Sequence, residues 1–377
     1  MNCVKTSVLC LPPLSFTINN NDNQLQTNYS FIYMMRYHSF SIYSLFVIAM
    51  CSVLLPYTSF ANEVSPSTHI ANTGNYEVNQ TFKHLLSEHQ IVAIGDIHGS
   101  AAPTELLINA LSDRDIFESV DVVVTEFGNS HYQAELDDYL LNPNTMVSLQ
   151  ELKPLWQDSI YFMAWQYEHY RHFVQALRLL NASSNHKVRI ALAEPEFKWE
   201  GLSKEQWQSL TKTRIVNYEK TVKQVAEQND KAILLFGAMH TLKQPVSLKR
   251  GEALNEFVPF ISKLKDLNTA TIWTHFSTST IPDISTPTLV LLDEKSELNS
   301  PLSSVSARFA DGTNQKLSDV ADAYYYPGPL DRHAPVPLLI KRDSQWHHEM
   351  NRRAAIVDER VSAQIAKQLA EWQAETD

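Results

Sequence analysis

Glycine is scarce in this 377-residue chain, which has nine in all. A sequence this sparing spends glycine where the backbone must turn sharply or pass close to something. Four of the nine (Gly95, Gly99, Gly128 and Gly237) stand at or just past the end of an apolar run. Cysteine is rarer still: Cys3, Cys10 and Cys51 are the only three, all within the first 61 residues. A product cleaved after Ala61 would hold none, which excludes disulfides, thiolate nucleophiles and Cys-ligated zinc from it. The net charge of −11 offers no basic surface of the kind that binds nucleic acid. The apolar run 42–55 has about 14 residues, short of the roughly 20 that span a bilayer.

That run sits in a recognisable setting. A short basic start at Met35-Arg36 precedes it, and Ser59-Phe60-Ala61 follows, with small residues at −3 and −1 of a cut before Asn62. This is the layout of a secretory signal peptide. Met34 or Met35 reads as the start, with residues 1–33 an over-extended frame. Met50 is too large for a lipid-attachment box before Cys51. The expectation is an exported protein, periplasmic or secreted, with no transmembrane anchor after cleavage and one α/β domain over 62–377.

The remainder alternates between strand and helix patterns. Apolar runs predict strands at 91–95, 120–125, 188–193, 231–236, 270–276 and 288–292, with late strands at 321–326 and 336–340. Helical spacing predicts helices at 76–90, 100–111, 132–141, 204–229, 252–265 and 349–375. Residues 294–320 read as a long loop. Residues 148–181, rich in Trp and Tyr, read as a helical hairpin inserted as a cap. The fold class that follows is α/β, a mainly parallel sheet with helices on both faces.

Chemistry belongs at the carboxyl ends of such strands. The run Ile91-Val92-Ala93-Ile94 stops in Gly95-Asp96-Ile97-His98-Gly99. The run 232–236 stops in Gly237-Ala238-Met239-His240. His98 and His240 are each fit to be a general base or a metal ligand. Asp96 could orient His98 or hold a metal, and an Asx turn is its plain structural reading. Glu126 ends a Val-Val-Val-Thr strand, where a charge is costly unless paired or solvated in a cleft. Glu194 also ends a strand, and Glu105 lies just past the first motif. Arg178 and Arg189 are available to hold an oxyanion. His131 and the group Glu168, His169, Tyr170, Arg171 and His172 read as surface.

The string Gly95-Asp96-Ile97-His98-Gly99 resembles the opening signature of calcineurin-type metallophosphatases. Their second motif needs a Gly-Asp between residues 99 and 128, where no glycine stands. Gly237-Ala238-Met239-His240 also lacks the first His of their Gly-His-x-His. A closer resemblance is to the superfamily of erythromycin-esterase-like proteins, ChaN-like haem-binding lipoproteins and TraB/Tiki proteins. Its marks are Gly-x-x-His after a strand, a Glu ending the next strand, and a second Gly-x-x-His later. Here they are Gly95 to His98, Glu126, and Gly237 to His240. Arg178-Leu179-Leu180-Asn181 is similar to an Arg-x-x-Asn of the esterase-like branch, which usually has Glu where this chain has Asp96. The resemblance implies a hydrolase acting on a small-molecule or peptide substrate, with His98, His240, Glu126, Asp96 and Arg178 at the site. It leaves open a divalent metal held by His98, His240 and Glu126. A haem- or ligand-binding role without catalysis is the alternative, and a metallophosphatase the further one.

Overall fold

Four consecutive apolar residues, Ile91 to Ile94, place the first strand inside a seven-stranded sheet, where every one of its residues is buried. The computed structural model describes residues 73–377 except 229, 251–252, 276–283, 285, 297, 307, 312–313, 329–334 and 377. The expected leader, and Phe276 of the expected strand 270–276, therefore lie outside the described residues.

The strands are β1 (Ile91–Asp96), β2 (Val122–Asn129), β3 (Arg189–Glu194), β4 (Ala232–Gly237), β5 (Val246–Arg250), β6 (Ala253–Phe257), β7 (Thr269–Thr274), β8 (Thr288–Leu291) and β9 (Ala323–Tyr326). The helices are α1 (Thr73–Glu88), α2 (Ala102–Leu111), α3 (Arg114–Ser119), α4 (Gln133–Leu141), α5 (Pro154–Gln157), α6 (Glu168–Ser183), α7 (Lys204–Glu227), α8 (Leu302–Val305), α9 (Leu338–Lys341), α10 (Ser344–Val357) and α11 (Glu359–Thr376). The large sheet runs β3-β2-β4-β1-β7-β9-β8. All its pairings are parallel except β8 with β9. This is the α/β architecture expected from the alternation.

Strand periodicity divides the buried residues between the two faces. Val92, Ile94, Val123, Ile190, Ile233 and Leu235 pack with Phe82, Leu106, Leu136 and Phe173 of the helices on one side. Ile91, Ala93, Val122, Val124, Leu234 and Phe236 pack on the other side against Tyr218, Val222 and Val225 of α7, with Phe260 and Ile261. Local signals start the helices. A capping box of Ser203 and Gln206 opens α7, and the Asp113 side chain accepts from two backbone N–H groups of α3.

Several expectations fail for identifiable reasons. β5 and β6 pair antiparallel, where a helix over 252–265 was expected. Pro259 bars a helix from running through this stretch, and a single 3-10 turn, Ile261–Lys263, follows it. The expected strand 336–340 is the short helix α9, opened by Pro337 at its N-cap. The closing helix is two, because Asp358 is extended and breaks the chain between α10 and α11. Residues 294–320 contain α8 and the 3-10 turn Leu317–Asp319. The expected hairpin over 148–181 is one short helix, α5, then irregular chain, then α6. No helix among the described residues is long and apolar enough to cross a membrane.

Candidate functional site

The strand order assembles the site. β4 lies between β1 and β2, in the register Asp96 opposite Gly237 and Thr125 opposite Leu235. The two Gly-x-x-His turns are therefore neighbours at one end of the sheet, with Glu126 on the strand beside them. Close approach is needed here. A Cβ on Gly95 would come within 3.0 Å of the Ala238 Cβ, and one on Gly237 within 3.0 Å of Glu126 Oε2 and 3.5 Å of His98 Nε2. Glycine at both points lets the turns touch.

Asp96 shares the sheet face of Val92 and Ile94, so its carboxylate turns toward α6. Its Oδ2 accepts from His98 Nδ1 at 3.0 Å and from the Tyr170 hydroxyl at 2.7 Å. A carboxylate only accepts, so the proton of the His98 ring sits on Nδ1 and Nε2 is left to act. The His98 ring stands edge-on to Trp165 at 4.4 Å. Its side chain is 30% exposed, against 7% for His240, so of these two histidines it is the one solvent reaches. Burial alone would lower the His98 pKa. The hydrogen bond that the ring donates to Asp96 and the charges of Asp96 and Glu126 outweigh it, and the imidazole is raised above its ordinary value.

Glu126 shares the face of Val122 and Val124 and turns the other way, toward α7. Its Oε2 accepts from the Gly237 N–H at 2.6 Å, which fixes the second turn. Its Oε1 lies 3.6 Å from His240 Nε2 and 4.0 Å from the guanidinium of Arg214. Burial would raise this carboxyl; the charges of His240, His98 and Arg214 and the Gly237 N–H reverse that and hold it below its ordinary value. His240 itself is pulled down to about 4 by burial, so near pH 7 it is neutral. The lasting positive neighbour of Glu126 is accordingly Arg214, with His98 when protonated. The His240 Nδ1 is buried and makes no hydrogen bond.

Arg214 is the residue that reading the sequence missed. It is 5% exposed and lies over the Tyr161 ring at 4.4 Å. Trp207, Thr211, Arg214, Tyr218, Val222 and Val225 form the buried stripe of α7. An arginine at a stripe position of an otherwise polar helix is the signal that was available.

Four of the five expected catalytic residues are brought together: Asp96, His98, Glu126 and His240. Arg178 is not among them. It donates to the Tyr139 backbone oxygen at 2.8 Å and stacks on the Tyr139 ring, tying α6 to α4. Asn181 bridges Leu140 and Val188 through backbone bonds, so the Arg-x-x-Asn string is packing. Arg189 pairs with Asp230 at the opposite end of β3 from the site, and Glu105 sits in the first turn of α2. His131 pairs with Glu196, and His172 with Glu168. The group around residue 170 is not all surface, since His169, Tyr170 and Arg171 are buried.

The expected metal on His98, His240 and Glu126 would share Glu126 with a cation already beside it. No three His, Cys, Asp or Glu side chains among the described residues are disposed to hold an ion. His98 Nε2 and Glu126 Oε1 stay open, but the Arg214 guanidinium, 4.0 Å from that oxygen, would repel a cation bound there.

Glu194 completes the surroundings. Both its oxygens accept from the Ile160 N–H, at 3.1 and 3.0 Å, next to the Tyr161 that Arg214 covers. Burial pushes this carboxyl up to about 8 against the Ile160 bond and Arg214, with the Glu126 charge adding to the rise. A raised carboxyl destabilises the fold as pH climbs, because the unfolded chain ionises from about 4.5 upward while the folded one stays protonated. Glu194→Gln should therefore stabilise the chain by about 2–3 kcal/mol at pH 7 and by nothing near pH 4. Urea midpoints at the two pH values measure this; an equal effect at both would mean that Glu194 is ionised when buried.

No family model and no curated protein matches this sequence. Solved structures similar to the chain include a Bacillus cereus protein, at 12% identity over 66% of this chain and 90% of that one, with a TM-score of 0.43. A mutant erythromycin esterase in its open conformation aligns at 12% identity over 68% and 95%, with a TM-score of 0.45. The haem-binding ChaN of Campylobacter jejuni aligns at 13% identity over 65% and 90%, with a TM-score of 0.33.

Proposed function

We propose that the chain is a hydrolase in which His98 activates water against an acyl ester. The observation that carries this reading is the Asp96–His98 pair: a hydrogen-bonded imidazole, raised in pKa, with Nε2 left to act on a partly exposed edge. That is the requirement for a general base working near neutral pH. In the step, His98 Nε2 takes a proton from water while the water oxygen bonds to the ester carbonyl carbon. The carbon–oxygen bond to the alcohol then breaks, and the imidazolium returns its proton to the departing alkoxide. Asp96 holds the ring and balances its charge. Glu126 adds negative potential and anchors the Gly237 turn. His240, neutral and close to Glu126, offers an uncharged ring nitrogen to the same space.

The substrate class is a small-molecule or peptide acyl compound, and export rests on the leader pattern of residues 35–61 alone. The test is turnover of a panel of p-nitrophenyl esters by the purified chain, before and after chelation. Metal-independent ester hydrolysis is expected. Activity abolished by chelator and restored by a divalent ion would overturn the metal-free reading. A Soret band on adding haem, with no hydrolysis of any ester, would replace the hydrolase by the haem-binding alternative.

A further inference from the structure

One carboxylate oxygen does two jobs in this site. Asp96 Oδ2 accepts from both His98 and Tyr170, while Asp96 Oδ1 is buried and accepts from nothing. A buried carboxylate ordinarily spreads its donors over both oxygens, since each unmet lone pair loses solvation. Here the geometry depends on Tyr170. The hydroxyl reaches Asp96 from α6, on the sheet face opposite to Glu126 and Arg214. Without it the carboxylate is held at that oxygen by the His98 ring alone, and its plane is free to turn about the Cβ–Cγ bond.

We infer that Tyr170 is a positioning residue of this site, its hydroxyl fixing the plane of the Asp96 carboxylate so that the shared oxygen points at the Nδ1–H of the His98 ring. The inference rests on the hydrolase reading only for its effect on rate; the lock itself is a statement about the resting protein. The ring of Tyr170 is held for this purpose. It is fully buried, packed on Phe127 and Trp165 at 5.3 Å each and against His169 at 3.9 Å. Burial and the Asp96 charge and bond keep its hydroxyl protonated and donating far above neutral pH. The charged or titratable groups around the pair are Asp96, Glu126 on β2, Arg214 on α7, and His169 on α6. Tyr167 also acts on Tyr170, and among the described residues the donors to Asp96 Oδ2 are His98 and Tyr170.

Tyr170→Phe keeps the ring and its packing and deletes the donor. Its kcat should fall about 10- to 100-fold with KM unchanged, the expected loss for one bond to a charged group. The ¹⁵N shifts of the His98 ring should move from a single Nδ1–H tautomer toward a mixture. The wild-type chain supplies a reading that needs no variant: the Tyr170 hydroxyl proton should resonate far downfield and exchange slowly. In a cycle with Asp96→Asn, the second substitution should add little to the first. An unchanged His98 tautomer in Tyr170→Phe, full additivity in the cycle, or no protected hydroxyl in the wild type would each overturn the inference. If the wild type hydrolyses no ester, the two NMR readings still decide it, and only the reaction assignment fails.

Discussion

His98→Ala is expected to lower ester turnover by about 10²–10⁴ while leaving the fold intact, the usual cost of losing a general base. The fold should survive because the His98 side chain is partly exposed and lies outside both halves of the apolar core. The loss should fall on kcat, since the ring acts on water in the transition state and contributes little to holding the ester. His98 is raised in pKa, so wild-type activity should fall on the acid side as the ring protonates, at a pH above that of a free histidine. The alanine variant should show no such limb. Steady-state kinetics across pH, with far-ultraviolet circular dichroism on both proteins, decide the matter. Wild-type turnover in the variant would remove His98 from the chemistry.

The second large effect is on stability. Arg214→Met should destabilise the chain by about 3–5 kcal/mol, because it removes one partner of a buried charge pair and strands the other. Glu126 is 3% exposed and holds its charge in part through that guanidinium. The stranded carboxylate has no route to solvent without disturbing the Gly237 turn that it anchors. Adding Glu126→Gln to Arg214→Met should therefore recover much of the loss, since both charges are then gone. Chemical denaturation of the wild type, both single variants and the double variant gives the coupling directly. If Arg214→Met unfolds at the wild-type midpoint, the guanidinium is not what balances Glu126.

Much of this site was legible before any coordinates. Asp96, His98, Glu126 and His240 follow from apolar strands that end in glycine and a titratable side chain. Parallel sheets place such ends together. What could not be read was which strands would be neighbours. That depends on β4 entering between β1 and β2, a matter of packing across the whole sheet. Arg178 shows the limit of a short motif: its string matched, but α6 turns it toward Tyr139 and away from the strand ends. Arg214 shows the converse, a functional side chain on a helix with no motif at all. In the C-terminal half the misreadings have local causes. Prolines at 259 and 337 and the extended Asp358 override the apolar spacing of these stretches.

The position of β4 also sets when the site can come into being. The bond from Gly237 to Glu126 joins residues 111 apart in the chain, and Gln90 reaches Asp230 across 140. While the chain emerges from the ribosome, β1 and β2 exist with no partner between them, and their facing edges carry unpaired backbone groups. Contacts of such long range form late, because their loop-closure entropy must be met before they reward the chain. The hydrogen-bonded pair Asp96–His98 is local and can form early. The acidic half, Glu126 clasped to Gly237, waits for the strand that closes the sheet. A nascent or truncated chain ending before residue 232 thus holds the Asp96–His98 pair without its electrostatic frame, and an open sheet edge in place of the assembled cluster.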